Sequence, residues 1–206
     1  MRFIQPIVEG QGDVEAVPVV LRRLRDEAQA WDLEVARPHR RTRGELARKD
    51  TLQRAVQVAA LREDCAGIMI VFDADDDCPK ELAPIVQGWA EEVSGSLPCK
   101  VVMANREFEA WFLASIEELR GQRSIRGDAT SHNNPEQPRD AKGCVEDCMH
   151  DGGSYSETAD QAALAAGISL SKVYQQCRSF RRLVNAFGGI ATSAGVELAQ
   201  WPPQGW

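Results

Sequence analysis

Gly67-Ile68-Met69-Ile70-Val71-Phe72-Asp73-Ala74-Asp75-Asp76-Asp77 runs from six uncharged residues straight into a cluster of aspartates. An apolar run of this length without alternation predicts a strand buried on both faces, the central strand of a parallel sheet. Parallel neighbours need crossovers, so helices are expected on either side of the run in sequence. They are legible there. Upstream, Asp50 to Arg62 carries Leu52, Ala55, Val56, Ala59 and Ala60 at helical spacing, with Asp50 or Thr51 as N-cap. Downstream, Pro79 opens a helix to about Val93.

Working further out, Phe3 to Val8 is a short apolar run ending at Glu9-Gly10, and it reads as the first strand. Asp13 to about Ala28 is a helix, with Val14, Val17, Val20, Leu21 and Leu24 on one face. Leu33 to Arg37 is a second strand, followed by a basic loop. Cys99 to Met103 is a fourth strand, and Glu107 to Ser115 a short helix. The order βαβαβαβα predicts an α/β fold, a Rossmann-like, mainly parallel four-stranded sheet flanked by helices. After Leu119 the chain turns polar to Glu157, with a short helix expected near Asp140 to Met149. Helices are then predicted over Thr158 to Ala166 and Ser169 to Phe187, the latter stopped by Gly188-Gly189. The expected organisation is a metal-binding domain at 1–118, a polar excursion at 119–157, and a helical C-terminal extension at 158–206 packed on the same domain.

In open α/β sheets ligands gather beyond the carboxyl ends of the strands. Glu9 follows the first strand and Asp73 and Asp75 follow the third, and in this order those two strands can be neighbours. Carboxylates brought together repel unless a cation joins them. Mg²⁺ is held by a few carboxylates while it keeps waters and phosphate oxygens. The bland alternative is that Asp75, Asp76 and Asp77 are turn and cap residues before Pro79. The joint pattern, Glu-Gly after one strand and Asp-x-Asp after another, favours metal.

Val8-Glu9-Gly10-Gln11-Gly12-Asp13 together with Val71-Phe72-Asp73-Ala74-Asp75 resembles the Toprim domain shared by topoisomerases, bacterial primases and OLD-family nucleases. It is most similar to small stand-alone Toprim-like proteins related to the OLD nucleases. Asn105 to Leu113 and Thr158-Ala159-Asp160-Gln161 also look familial. The strong resemblance covers roughly residues 1–115, and a weaker one reaches about 188. It implies a Toprim-like fold and an Mg²⁺- or Mn²⁺-dependent site for phosphodiester chemistry. In that site Glu9 is a ligand or general base, Asp73 and Asp75 are ligands, and Asp13 is a ligand to a second metal. Topoisomerase chemistry is not implied, because Tyr155 and Tyr174 are the only tyrosines and no second large module is present. Nuclease activity on nucleic acid, DNA ahead of RNA, is what remains. The resemblance also implies a separate ATPase subunit and a role in prokaryotic defence or repair, because no Gly-x-x-x-x-Gly-Lys-Ser/Thr loop occurs here. The rival expectation is a non-catalytic Toprim-fold subunit that docks on or regulates an ATPase complex.

Other residues refine the expected site. Glu107 or Glu109 enters it from the start of a helix, with Glu109 preferred; the alternative is complementation of the helix dipole. Lys142, in the polar excursion, is a candidate to stabilise transition-state charge. Trp111, Phe112 and Leu113 read as core. Arg40, Arg41 and Arg43 of the basic segment are candidates for phosphate contact, and Arg178, Arg181 and Arg182 are a second basic group. Gly10-Gln11-Gly12 mimics a dinucleotide fingerprint, but its third glycine position holds Glu15. A phosphotransfer aspartate would follow the first strand, where this chain has Glu9.

Composition sets the outer limits. With 206 residues, 43% hydrophobic and 27% charged, the chain can form one large domain without disulfides. A net charge of −7 argues against coating nucleic acid by charge alone, yet permits an enzyme whose metal supplies positive charge. There is no apolar run long enough to span a membrane, and Met1 to Pro6 leads into charge without a signal core. The expectation is a cytoplasmic protein with no membrane partner and reduced cysteines, and a homodimer is left open. Cys144 and Cys148 are four apart but have no second pair with which to hold zinc.

Overall fold

The structure is a computed structural model that describes residues 1–206. Its centre is a parallel sheet built from β1 (Arg2–Val8), β2 (Leu33–Val35), β4 (Cys65–Asp73) and β5 (Cys99–Ala104), in the order β2-β1-β4-β5. A fifth strand, β3 (His39–Arg40), pairs with the end of β1. Every pairing is parallel. The expected α/β, Rossmann-like architecture is therefore present, with one short strand more than expected. That strand lies in the basic segment read as loop: Ile7 and Val8 find register partners in His39 and Arg40.

β4 is central, as its unbroken apolar run requires. Alternation along it serves two cores. Met69 and Val71 enter the core shared with α1 (Asp13–Glu27) and the C-terminal helices. Ile68, Ile70 and Phe72 enter the core under α3 (Lys49–Ala60) and α4 (Pro79–Glu91). Between β3 and α3 a short α2 (Arg43–Leu46) is closed by a capping box of Thr42 and Glu45. Beyond β5 the predicted helix over Glu107–Ser115 shrinks to α5 (Ala110–Leu113), with a 3₁₀ turn at Ile116–Leu119.

The polar stretch 119–157 folds onto the domain. Ile125, Ala129, Val145 and Met149 are buried in the first core, and α6 (Ala141–Glu146) forms close to where a short helix was expected. α7 (Glu157–Gly167) packs on α1, and α9 (Arg178–Ser193) on β4 and β5. The single helix expected over Ser169–Phe187 is two, α8 (Leu170–Gln176) and α9, broken at Cys177. The break is stabilised from outside: the Glu136 carboxylate accepts from the N–H groups of Arg178 (2.9 Å) and Ser179 (2.8 Å), two donors that an uncapped helix start would leave orphaned. Gly188-Gly189 does not stop α9. A Cβ at Gly188 would overlap the Trp201 indole, so glycine here answers the close approach of the tail.

Candidate metal centre

Three strand ends and two helix starts meet at one cleft. Glu9 leaves β1, Asp73 closes β4, and Glu109 follows β5 at the start of α5. Asp13 opens α1 and Lys142 lies in the first turn of α6. These five, with Gly10, Glu157 and Gln161, line a polar cleft of about 90 Å³ with no hydrophobic residue in its wall. A water occupies about 30 Å³ in the liquid, so the space suits an ion with part of its shell. The placement follows from topology. β1 and β4 are adjacent, with Val8 opposite Val71, so Glu9 and Asp73 leave the same edge of the sheet.

Each acidic group is held differently. Asp13 is buried and fully engaged: it accepts from Gly10 N (2.8 Å) and from Gln161 Nε2 (3.0 Å). Asp73 accepts from Phe108 N at 2.9 Å. Glu109 is wholly buried and takes one hydrogen bond, from the Tyr155 hydroxyl at 2.7 Å. Glu9 Oε2, Glu109 Oε2 and Gln161 Oε1 are buried with no partner. In native proteins such atoms are met by a protein group, an ordered water or an ion.

The electrostatics reflect crowding. Burial raises the Glu9 carboxyl, and the charges of Asp75 and Asp13 add to the rise. Burial also raises Asp13. Asp73 is pushed well above the usual carboxylate range, first by burial and then by Asp13 and Glu109. Burial lifts Glu109 to about 7 even though Lys142 and the Tyr155 hydroxyl pull it down. Desolvation alone would lower the Lys142 ammonium. Its hydrogen bond to Glu157 (2.7 Å), with the charges of Glu109 and Asp73, overrides that and raises it, so it stays protonated.

Not every expected residue enters the cleft. Asp75 stands at the rim. The chain turns there with φ of 49°, its N–H goes to Arg106 O, and its exposed carboxylate faces Arg43 at 3.7 Å. The alternation that would have turned Asp75 inward ends with the strand at Asp73. Glu107 caps α6 by accepting from Lys142 N at 3.0 Å, which leaves Glu109 as the carboxylate in the cleft. Arg43 is held within the protein, bonded to Asp77 and lying over the Phe72 ring at 4.9 Å. Arg40 Nε donates to Glu9 O at 3.2 Å and Arg41 to Arg40 O at 2.8 Å. The basic segment thus braces the strand end beside the cleft. Trp111, Phe112 and Leu113 are core, as expected, and Trp111 Nε1 donates to Ser179 Oγ at 2.8 Å.

Gln161, Glu157 and Tyr155 were missed as site residues. Gln161 had a signal in the familial-looking Thr158–Gln161 segment, but only the docking of α7 on α1 brings it to Asp13. That docking also explains Gly12, where a Cβ would lie 2.7 Å from the Glu157 carbonyl oxygen and nearer still to Gln161 Oε1.

The donor set suits a hard divalent cation: carboxylate oxygens, two of them without partners. As the side chains stand, no three Asp, Glu, His or Cys groups share one ligating geometry, and the cation among them is Lys142. The fold and cleft define a Rossmann-like α/β domain with an acidic centre at the carboxyl edge of its sheet and helices closing one side. The chain belongs to the DUF4276 family, described as a domain of unknown function, whose model matches residues 8–187. That range takes in every residue lining the cleft. No curated protein and no solved structure matches the chain.

Proposed function

We propose that this chain carries out metal-dependent phosphodiester chemistry on nucleic acid, as a nuclease using Mg²⁺ or Mn²⁺. The observation that carries the reading is the pair of buried, unpartnered carboxylate oxygens, Glu9 Oε2 and Glu109 Oε2, in a cleft that also holds Asp73 and Lys142. Glu9, Asp73 and Glu109 would hold the cation. A divalent ion bound there supplies polarisation of a phosphoryl oxygen and an activated water. Asp13 has both oxygens committed, so its part is to fix the Glu9-Gly10 turn. The Lys142 ammonium, protonated at neutral pH, is positioned to meet negative charge developing on the phosphate. Tyr155 orients Glu109. The resemblance to Toprim and OLD-type nucleases supports the same chemistry, with DNA preferred to RNA and a separate ATPase as partner.

The test is cleavage of DNA and RNA with Mg²⁺ or Mn²⁺, comparing the native chain with Asp73→Asn and Lys142→Ala. Loss of cleavage in Asp73→Asn, with the fold intact, is expected. Undiminished cleavage in that variant would reject the assignment. A second reading is favoured by the Lys142 ammonium already standing among the carboxylates and paired with Glu157: a non-catalytic subunit in which the cleft is a structural polar network. Calorimetric titration with Mn²⁺ separates the two, because that network would take up no ion.

A further inference from the structure

We infer that a second cleft, on the β5–α9 side of the sheet, binds a phosphate of the nucleic-acid strand whose scissile phosphate lies in the acidic cleft; the inference rests on the nuclease reading above. This cavity, of about 330 Å³, is lined by Lys80, Asn105, Glu136, Arg178, Ser179 and Arg182 among others. What distinguishes its cations is that three of them converge on one cavity without an acidic partner, whereas the cations nearest the acidic cleft and the aspartate run, Arg43, Arg106 and Lys142, sit in ion pairs. Lys80, Arg178 and Arg182 are exposed, and no carboxylate stands within ion-pair distance of any of them. Three free cations around one cavity, in a protein of net charge −7, form a local positive site for an anion.

The arrangement is built. Arg178 and Arg182 are four residues apart on α9 and so share a face. Glu136 is the one carboxylate in the wall. Its oxygens are occupied by the N–H groups of Arg178 and Ser179 and by the Ser179 hydroxyl, so it serves to fix the start of α9 and with it the direction of both arginines. Lys80 comes from the first turn of α4, just beyond the aspartate run. Position ties this cleft to the acidic one. Asp73 and Ala104 are register partners on adjacent strands, and Asp73 leads into one cleft while Asn105 leads into the other. Neighbouring strands lie about 4.8 Å apart, so a polyanion crossing the carboxyl edge of the sheet reaches both. The second cleft supplies a phosphate contact in place of Arg43, which is paired with Asp77 and Asp75.

The experiment measures binding of a single-stranded DNA oligonucleotide of about 20 nucleotides by fluorescence anisotropy over a salt series, with Ca²⁺ to suppress cleavage. The proteins are the native chain, the triple variant Lys80→Gln, Arg178→Gln and Arg182→Gln, and Arg182→Gln alone; glutamine removes the charge while keeping a polar side chain and part of the aliphatic stem, and all three sites are exposed. Losing one phosphate contact on a single strand flattens the log–log salt slope by about 0.7, so the triple variant should be flatter by about 0.7 and Arg182→Gln alone by a part of that. Asp73→Asn should keep the native slope. Native binding with an unchanged slope in the triple variant overturns the cleft assignment and leaves the nuclease reading standing. Absence of any oligonucleotide binding by the native chain overturns both.

Discussion

Replacing Glu109 with glutamine should stabilise the metal-free protein at alkaline pH and remove part of its pH dependence. Glu109 is fully buried, one oxygen is unpartnered, and its carboxyl sits at about 7 in place of 4.5. At about 1.4 kcal/mol per unit, keeping it ionised in the folded state costs about 3 kcal/mol. The sign is the reverse of ordinary acid denaturation. A folded-state value above the unfolded one means that the native state binds the extra proton. The contribution is fully present below pH 4.5 and is lost as pH rises through about 7. Glutamine keeps an acceptor for the Tyr155 hydroxyl but buries an amide N–H₂, at a cost of about 1–3 kcal/mol that does not vary with pH. The informative quantity is therefore the change in stability between pH 5 and pH 8. In EDTA the native chain should lose about 2.5 kcal/mol more over that interval than Glu109→Gln. The difference should grow somewhat because the variant also relieves Asp73. Urea unfolding followed by tryptophan fluorescence reads it, since Trp111 lies in the core beside the site. Parallel pH profiles for the two proteins would refute the account of Glu109 as a buried anion held against its tendency to protonate.

Three further outcomes follow from single contacts. Tyr155→Phe removes the only hydrogen bond to Glu109, so stability at pH 8 should fall by about 1.5–3 kcal/mol. The Glu109 titration, read by the same pH series, should move further upward; an unmoved profile would show that the phenol does not orient the carboxylate. Gly12→Ala forces a methyl group against the Glu157 carbonyl, and should cost about 1–3 kcal/mol while loosening α7, seen as faster amide exchange over 157–167. Arg43→Ala should lower the urea midpoint by the equivalent of about 1 kcal/mol, through loss of its place over Phe72 and of the Asp77 pair, and should leave the salt dependence of oligonucleotide binding unchanged.

The parts of this fold that were legible in the sequence are those governed by local pattern. The run from Gly67 to Phe72 announces a strand buried on both faces, and it is the central one. Glu9 and Asp73 could be paired in advance because strand order and the carboxyl-edge rule need only the succession of elements. What was not legible depends on distant segments. Nothing local says that Asp75 turns outward; its geometry follows from an N–H bond to Arg106, thirty-one positions on. Gly188-Gly189 has the appearance of a helix stop, yet the helix runs through it and Gly188 makes room for Trp201. In the basic segment only Arg43 is tied to an aspartate, while Arg40 and Arg41 each reach one backbone carbonyl, contacts that local sequence does not announce.

The same long-range contacts explain why the helical extension cannot be separated from the site. Asp13 is buried beside other acids, and its charge is tolerable because Gln161 on α7 and the Gly10 N–H both donate to it. α7 is in turn anchored to α1 by Arg23, whose guanidinium donates to Ala165 O (2.9 Å) and Ile168 O (2.8 Å) and so satisfies carbonyls at the end of that helix. α9 covers β4 and β5 and holds Trp111 through Ser179, just behind Glu109. The sheet supplies Glu9 and Asp73, while the segment after β5 supplies Lys142, Glu157, Gln161 and the hydroxyl on Glu109. Crowded carboxylates oppose folding, and the apolar burial of α7 against α1 and of α9 against the sheet helps to offset them. The cluster destabilises the fold and is nonetheless buttressed by residues from both halves of the chain, a trade of stability for function that the proposed cation site would explain.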